Sequence, residues 1–439
     1  MTISVLSVLL LVAWPVFNIV LGGYAAWVAT ASERRRARGE AAGSAGRADG
    51  DPVTPESFWI VVPCLNEERV VGRTVRSALA LAAPGASTNV LVIDDGSDDC
   101  TTLVLSGIAE PGLHVLRRRL PEARQGKGEA LNAAYAYISR WTRNAGQDPR
   151  RVVVGVIDGD GRGSENLLAE VQRSLANPRL GAVQARVRIH NRNKLLGAVQ
   201  DLEFACVADA SQTVRSRLGS VGLGGNGQFA RLSALQELGS APWSDCLVED
   251  LELGLRMHLR GIGIGYVWRA SITQQGVTDV RRLLRQRTRW AQGNLQCIRY
   301  LPELSASPQI RSHSFLEMAY YLISPWLSAL SSAVAVLMWG YALVQAAIGT
   351  SPLFGGSAAL GAAAGLVATV LPGLAWAVLH RVRLRDERLS RCLLAGVTYP
   401  AFLLLGLAST WRALARQATG RSGWAKTERL AEEPVLAMA

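Results

Sequence analysis

An α/β domain with a mostly parallel sheet, flanked by transmembrane helices, is the fold class this sequence predicts. Three observations predict it. Short apolar, β-branched runs at 58–63, 89–93 and 152–157 alternate with helical stretches, as in a sheet buried on both faces. Two of these runs end in acidic turns, Asp94-Asp95-Gly96-Ser97 and Asp158-Gly159-Asp160-Gly161, at the strand carboxyl ends where such sheets hold ligands. Long apolar stretches bracket this polar region.

Residues 5–28 are apolar enough and long enough to span a bilayer, and Arg34-Arg35-Arg36-Ala37-Arg38 follows them. A cleaved leader carries its positive charge before the apolar core, so 1–30 reads as an uncleaved anchor with its amino terminus outside. Residues 31–55, with Gly, Ala and Pro, read as a linker. The cytosolic domain is expected over 56–299. Its first strand ends in the polar turn Cys64-Leu65-Asn66-Glu67-Glu68, which leads into a helical stretch to residue 80. The second strand stops at Asp94, where Gly96 permits a tight turn. After the third strand, 167–175 is helical, and so is 251–259 behind Glu249-Asp250.

Beyond the domain, 300–314 reads as an interfacial connection, 315–410 as a membrane region and 411–439 as a basic cytosolic tail. The membrane region offers apolar stretches at 315–346, 353–379 and 393–407, with small residues for close helix packing. Three spans and the anchor place the carboxy terminus outside, whereas the arginine-rich segments 381–391 and 412–429 favour the cytosol. Thr398-Tyr399-Pro400 makes 393–407 a candidate for a bent or interfacial segment. The number of crossings stays open. The expected location is the cell membrane, multi-pass, with the catalytic domain cytosolic.

The net charge of +12, from 47 basic and 35 acidic residues, does not point to nucleic acid, because no recognition module accompanies it and the arginines gather beside apolar segments. The cysteines at 64, 100, 206, 246, 297 and 392 show neither C-x-x-C spacing nor a zinc-like histidine pattern. Free thiols in a reducing compartment are expected. The first strand is not followed by G-x-G-x-x-G, which argues against a dinucleotide-binding oxidoreductase. His190, His258 and His313 are too scattered for a histidine-centred site.

Asp158 and Asp160, one residue apart after a strand, can reach one hard cation that also meets the oxygens of a nucleotide diphosphate. In isolation such a pair is common in loops. Asp94 and Asp95 can accept from a base or ribose, with turn capping as the alternative. Lys127, near Arg124, can add positive charge at a diphosphate or belong to a solvated loop. Asp250 at a helix start suits a general base, with helix capping as the plainer role of Glu249-Asp250. Gln286, Arg289 and Trp290 share one helical face at i, i+3 and i+4. The amide, the guanidinium and the indole can then meet sugar and phosphate together, whereas a basic membrane-interface helix leaves Gln286 without a role.

In this order, and beside membrane spans, Asn66-Glu67, Asp94-Asp95-Gly96, Asp158-x-Asp160, Glu249-Asp250 and Gln286-x-x-Arg289-Trp290 resemble the motifs of the membrane-embedded family 2 glycosyltransferases, which include cellulose, chitin, hyaluronan and poly-N-acetylglucosamine synthases. The resemblance covers about 58–299. It implies a nucleotide-sugar-binding domain of the glycosyltransferase A type, a UDP-sugar donor, Mg2+ or Mn2+, and inversion at the anomeric carbon. It places Asn66, Glu67, Asp94, Asp95, Lys127, Asp158 and Arg289 around the donor, and Asp160 with Asp158 on the metal. Asp250 becomes the base, with Asp158, Gln286, Arg289 and Trp290 completing the catalytic set. Gln184 and Asn191 fall in an acceptor-lining segment, and Gly224-Gly225-Asn226-Gly227-Gln228-Phe229 could shape the acceptor pocket. Trp424-Ala425-Lys426-Thr427-Glu428-Arg429 is similar to a W-x-K-T-x-R ending of several relatives. Leu65 departs from the pattern, standing where many relatives have an aromatic residue against uracil. The sequence after the spans does not read as a separate regulatory module, so the large cyclic-dinucleotide-controlled cellulose synthase type is not expected.

The expected function is therefore a membrane-bound inverting hexosyltransferase that moves a hexose or N-acetylhexosamine from a UDP-sugar to a growing polysaccharide. Single-sugar transfer to a membrane lipid is the near alternative, and a nonenzymatic sugar-binding export protein the distant one. The partners implied are a nucleotide sugar, a polysaccharide or lipid acceptor and membrane lipids, with no nucleic acid; the sequence identifies no protein partner.

Overall fold

The computed structural model describes residues 14–37, 52–348 and 356–420. Helix α1 (Trp14–Ala37) runs on into the stretch read as linker, because 31–37 holds no glycine or proline to stop it. Then follow β1 (Ser57–Cys64), α2 (Val71–Leu79), β2 (Ser87–Asp94), β3 (Leu113–Arg117), α3 (Lys127–Asn144), β4 (Val152–Val156), β5 (Arg162–Gly163), α4 (Leu167–Leu175) and β6 (Leu180–Ile189). Helix α5 (Leu195–Leu202) passes through a π-turn at Glu203–Ala208 into α6 (Asp209–Leu218). The domain continues with β7 (Gln228–Arg231), α7 (Glu249–Leu259), β8 (Gly263–Gln274) and α8 (Val280–Cys297). Short turns at Ile298–Tyr300 and Leu301–Ala306 then lead to α9 (Ser312–Ala347), α10 (Gly356–Leu384) and α11 (Leu389–Ala418).

The eight strands form one sheet in the order β3-β2-β1-β4-β7-β6-β8-β5. β1 pairs in parallel with β2 and β4, β2 with β3, and β6 with β8, while β7 is antiparallel to both β4 and β6, and β5 to β8. The uninterrupted apolar run of β1 serves two cores at once. Phe58, Ile60 and Val62 pack with Val71, Val75 and Leu168 on one face, and Trp59 and Val61 with Leu131, Ile138 and Met257 on the other. This alternation fixes the register and carries the acidic ends of β2 and β4 to the same sheet edge.

Two helical stretches, Ser312–Leu337 within α9 and Leu389–Ala418 as α11, are long and apolar enough to cross a membrane. α11 is a single helix of 30 residues with Pro400 inside it, so the interruption read at Thr398-Tyr399-Pro400 does not break it. It crosses α10 at Gly373 and Gly396, where a Cβ on Gly373 would stand 2.2 Å from the Gly396 carbonyl oxygen. That is the small-residue packing expected of this region. All six cysteines are free thiols. The first part of the 5–28 stretch, part of 353–379 and the Trp424-to-Arg429 motif lie outside the described residues.

Candidate active site

A cavity of about 360 Å3 opens where β1, β2 and β4 end, between the first residues of α3 and α7 and the middle of α8. Glu67, Asp95, Lys127, Asp158, Asp250 and the trio Gln286, Arg289 and Trp290 all line it. Residues from six separate motifs thus share one wall.

Beside the end of β2, Asp95 accepts from Arg118 Nη1 at 2.5 Å and from the Arg124 amide at 3.1 Å. Burial raises its pKa against the opposing charge of Arg118. Leu65 also lines the cavity. Asp94 takes no part in the lining. Fully buried, it accepts from the Ser97 amide and the Thr102 hydroxyl, both at 2.9 Å, and so closes the turn. Asn66 also stands apart, at φ 54, where its side chain exchanges hydrogen bonds with Asp98 at 2.7 and 3.0 Å. Both residues hold the turn that presents Asp95 and Glu67, rather than facing the cavity themselves.

Lys127 sits on the first turn of α3 and is not a solvated loop residue. Its Nζ donates to Asp158 Oδ1 at 2.6 Å and to the Gly225 carbonyl at 3.0 Å, and lies 3.7 Å from Glu249 Oε1. Burial alone would lower its pKa, but Asp158 and Glu249 outweigh burial and raise it. The ammonium therefore stays charged between the Asp158 turn and the Glu249-Asp250 pair. Asp158 faces the cavity, while Asp160, 1% exposed, turns its Oδ2 to the Gln275 amide at 2.8 Å. The turn between them is anchored by the Thr74 hydroxyl on the Gly159 carbonyl at 2.7 Å.

Among the described residues no group of three or more His, Cys, Asp or Glu side chains could hold a metal ion. An all-protein cage does not fit these residues; of the two carboxylates that could share a cation with substrate phosphates, Asp158 lines the cavity and Asp160 lies buried behind it.

At the start of α7, Asp250 Oδ1 accepts the Leu251 amide at 2.8 Å. A Cβ on Gly225 would lie 3.3 Å from Asp250 Oδ2 and 3.1 Å from Lys127 Nζ, so glycine lets this loop close on both side chains. Burial pushes Glu249 up to about 7, helped by the neighbouring Asp250 charge, and also raises Asp250; Lys127 opposes both shifts. Gln184 holds the glycine loop from behind, giving Nε2 to the Asn226 carbonyl at 2.9 Å and taking the Gly224 amide on Oε1 at 2.7 Å. At 3% exposure it supports the acceptor wall rather than forming it. Asn191 is likewise elsewhere, exchanging hydrogen bonds with the Gly276 backbone at 2.7 and 2.8 Å.

On α8, the Arg287 guanidinium lies 4.7 Å from the centre of the Trp290 ring and pairs with Glu203 of the π-turn, which sets the indole against Phe204. The sequence reading missed Phe204, Gln274, Asn294 and Tyr321, all of which line the cavity. They come from the π-turn, the end of β8, the tail of α8 and the apolar helix α9. Nothing in their local sequence marks them, since folding alone brings those elements to the cavity.

The family described as glycosyltransferase like family 2 matches residues 55–293. A beta-monoglucosyldiacylglycerol synthase from Synechocystis sp. is 33% identical over 258 residues, covering 58% of this chain and 50% of that protein. A poly-beta-1,6-N-acetyl-D-glucosamine synthase from Staphylococcus epidermidis is 28% identical over 245 residues, covering 54% of each. The chain spans about half the length of these curated relatives. The solved structure of a mannosyltransferase from Pyrobaculum calidifontis, in complex with GDP-Man and Mn2+, is similar over 88% of this chain and 98% of that one, with a TM-score of 0.55 and 18% identity. That likeness shows a shared fold.

Proposed function

The chain belongs to glycosyltransferase-like family 2, and from that premise we propose that it is a membrane-bound inverting glycosyltransferase that carries a hexose or N-acetylhexosamine from a UDP-sugar to an acceptor hydroxyl. One observation carries the reading: Asp250 lines the same cavity as Asp95, Lys127, Asp158, Gln286, Arg289 and Trp290. In this reading 56–299 is the catalytic domain, held on the cytosolic side by the anchor and the 315–410 membrane region. The arginine clusters at 34–38 and 381–391 support that orientation.

The chemistry follows from the two ends. Asp250, ionised, takes the proton of the acceptor hydroxyl as its oxygen bonds to the anomeric carbon. The bond from that carbon to the diphosphate oxygen breaks on the opposite side, and the electron pair leaves with UDP. Displacement from the far side inverts the centre and requires no covalent nucleophile. Lys127 and Arg289 offset charge on the departing diphosphate, Asp95 accepts from the nucleoside, and Trp290 gives the sugar an apolar platform. Asp158 and Asp160 would hold Mg2+ or Mn2+, which supplies Lewis-acid stabilisation of the diphosphate.

Two acceptors suit this donor chemistry, a growing polysaccharide and a membrane lipid. The second is favoured by Tyr321, a residue of membrane helix α9 that lines the cavity. The test incubates the nanodisc-held protein with radiolabelled nucleotide sugars, membrane lipids and Mg2+ or Mn2+, and measures product size. A ladder identifies a polysaccharide synthase, a single lipid-soluble product a glycolipid synthase, and no metal-dependent donor turnover overturns the proposal.

A further inference from the structure

Tyr321 belongs to none of the motifs that mark the cavity, yet it forms part of its wall. It is 41% exposed, although its helix neighbours Met318 and Leu322 are 4% and 0% exposed. Those two neighbours pack with Cys246 of the loop before Asp250, Leu255 of α7 and Cys297 at the end of α8. A membrane-competent helix is thereby mortised to the two elements that carry the proposed base and the Gln286-Arg289-Trp290 face. Trp326, one turn further along α9, donates its indole N–H to Asn294 Oδ1 at 3.1 Å, and Asn294 lines the same cavity.

The ring of Tyr321 is itself held in place. The Arg215 guanidinium carbon lies 4.0 Å from the ring centre, and Arg215 Nε donates to Glu317 Oε1 at 2.7 Å. Arg215 is 6% exposed, so this cation and its carboxylate partner work where water screens them little. Glu317 and Tyr321 stand one turn apart on α9, and the single guanidinium from α6 fixes both. Arg215 also backs the glycine loop, since a Cβ on Gly222 would meet its Nη1 at 3.2 Å. The ring, the glycine loop and Asp250 thus keep a fixed relation. Packing of α9 alone requires the buried faces of Met318 and Leu322, but not an aromatic ring turned into the cavity.

We propose that Tyr321, clamped by Arg215 and Glu317, is an acceptor-positioning residue, and that it selects a hydroxyl carried on an apolar, membrane-borne body. The inference rests on the glycosyl-transfer reading and deepens it. An acceptor that arrives along α9 meets Tyr321 together with Phe204 and Trp290, and its hydroxyl then faces Asp250. A donor sugar nucleotide, bound at the Asp95 and Lys127 end, meets none of these three side chains first.

The experiment compares full-length wild type, Tyr321→Ala, Tyr321→Phe and Leu316→Ala in nanodiscs. Initial rates are measured with the nucleotide sugar that the wild type uses, against dioleoylglycerol in the disc and against a soluble chito-oligosaccharide. Leu316 is a suitable control because it is 65% exposed on the same helix and does not line the cavity. Tyr321→Ala is expected to raise the KM for dioleoylglycerol about tenfold, the loss of one aromatic contact, with the donor KM unmoved. Tyr321→Phe should restore the acceptor KM, and Leu316→Ala should leave both constants alone. An unmoved acceptor KM in Tyr321→Ala, or a parallel rise in the donor KM, overturns the inference. So does a wild type that extends the oligosaccharide and ignores dioleoylglycerol. A wild type that turns over no nucleotide sugar overturns the transferase reading first and this inference with it, so the two failures are told apart.

Discussion

Asp250 sits in the cavity wall with one carboxylate oxygen committed to the Leu251 amide and the other facing the Gly225 loop. Asp250→Asn keeps the shape and the helix start but cannot take a proton. It is expected to lower the transfer rate by about 10²–10⁴-fold, while calorimetry finds donor affinity unchanged; an active variant would remove Asp250 from its role. Burial raises both Asp250 and Glu249, the latter to about 7. A base works only when ionised, so the rate should fall as pH drops through the raised value of Asp250, an acid limb above the usual carboxylate range. The folded state here binds more protons than the unfolded one in that window, so these two groups weaken folding as pH rises through it. A pH–rate profile with its limb near 4 would contradict the burial argument. The Glu249-Asp250 pair was legible as a site candidate because it stands directly before a helical pattern, and the fold brings it to the cavity. Asp94 and Asp95 look equivalent in the sequence, and only the fold turns the Asp94 carboxylate inward onto Ser97 and Thr102.

Helix α3 couples two of these parts. It carries Lys127 into the cavity on its first turn, and Asn132 on the next exchanges hydrogen bonds with the Trp243 backbone at 2.7 and 3.0 Å. Between them, Gly128 lets α3 press on the loop that leads to Asp250, since a Cβ there would lie 2.1 Å from the Ser244 carbonyl oxygen. Backbone against backbone cannot yield as a flexible side chain would. Gly128→Ala should therefore destabilise the domain by about 1–3 kcal/mol and lower activity as Lys127 moves; denaturant unfolding and initial rates check both. An unchanged midpoint would mean that the 243–248 loop gives way freely. The parallel elements β1, β2, β4 and α4 were legible because each follows one clean hydrophobic period. β6 was not. It buries Arg186 and Arg188 among its apolar residues, and the carboxylates that make this tolerable, Asp209 and Asp201, belong to α6 and α5. A partner supplied from another element leaves no mark in the strand's own pattern.

Asp209 also joins the catalytic sheet to the helices around it. Its carboxylate accepts from Arg186 Nε of β6 at 2.8 Å, from the Tyr266 hydroxyl of β8 at 2.6 Å and from Arg383 Nη2 of α10 at 2.6 Å, and Arg383 also pairs with Glu33 of α1 at 2.6 Å. Asp209 is fully buried. Burial alone would raise its pKa, but Arg186 and Arg383 outweigh burial and lower it. A carboxyl lowered on folding stabilises above its unfolded pKa, and that contribution is lost as pH falls through the folded value, below the usual carboxylate range. Removing one partner from such a cluster strands the others without compensation. Asp209→Asn should cost about 3–5 kcal/mol, seen as a lower unfolding temperature in detergent. The double variant Asp209→Leu with Arg383→Met removes a charge from each side and should recover part of that loss, because an apolar pair carries no uncompensated charge. The order of the three proteins decides the matter. If the double variant is no more stable than Asp209→Asn, the residual Arg186 and Glu33 charges dominate the cluster; if the single variant melts with the wild type, water reaches Asp209, and the helices are held to the domain by their other contacts, the Arg215–Glu317 pair among them.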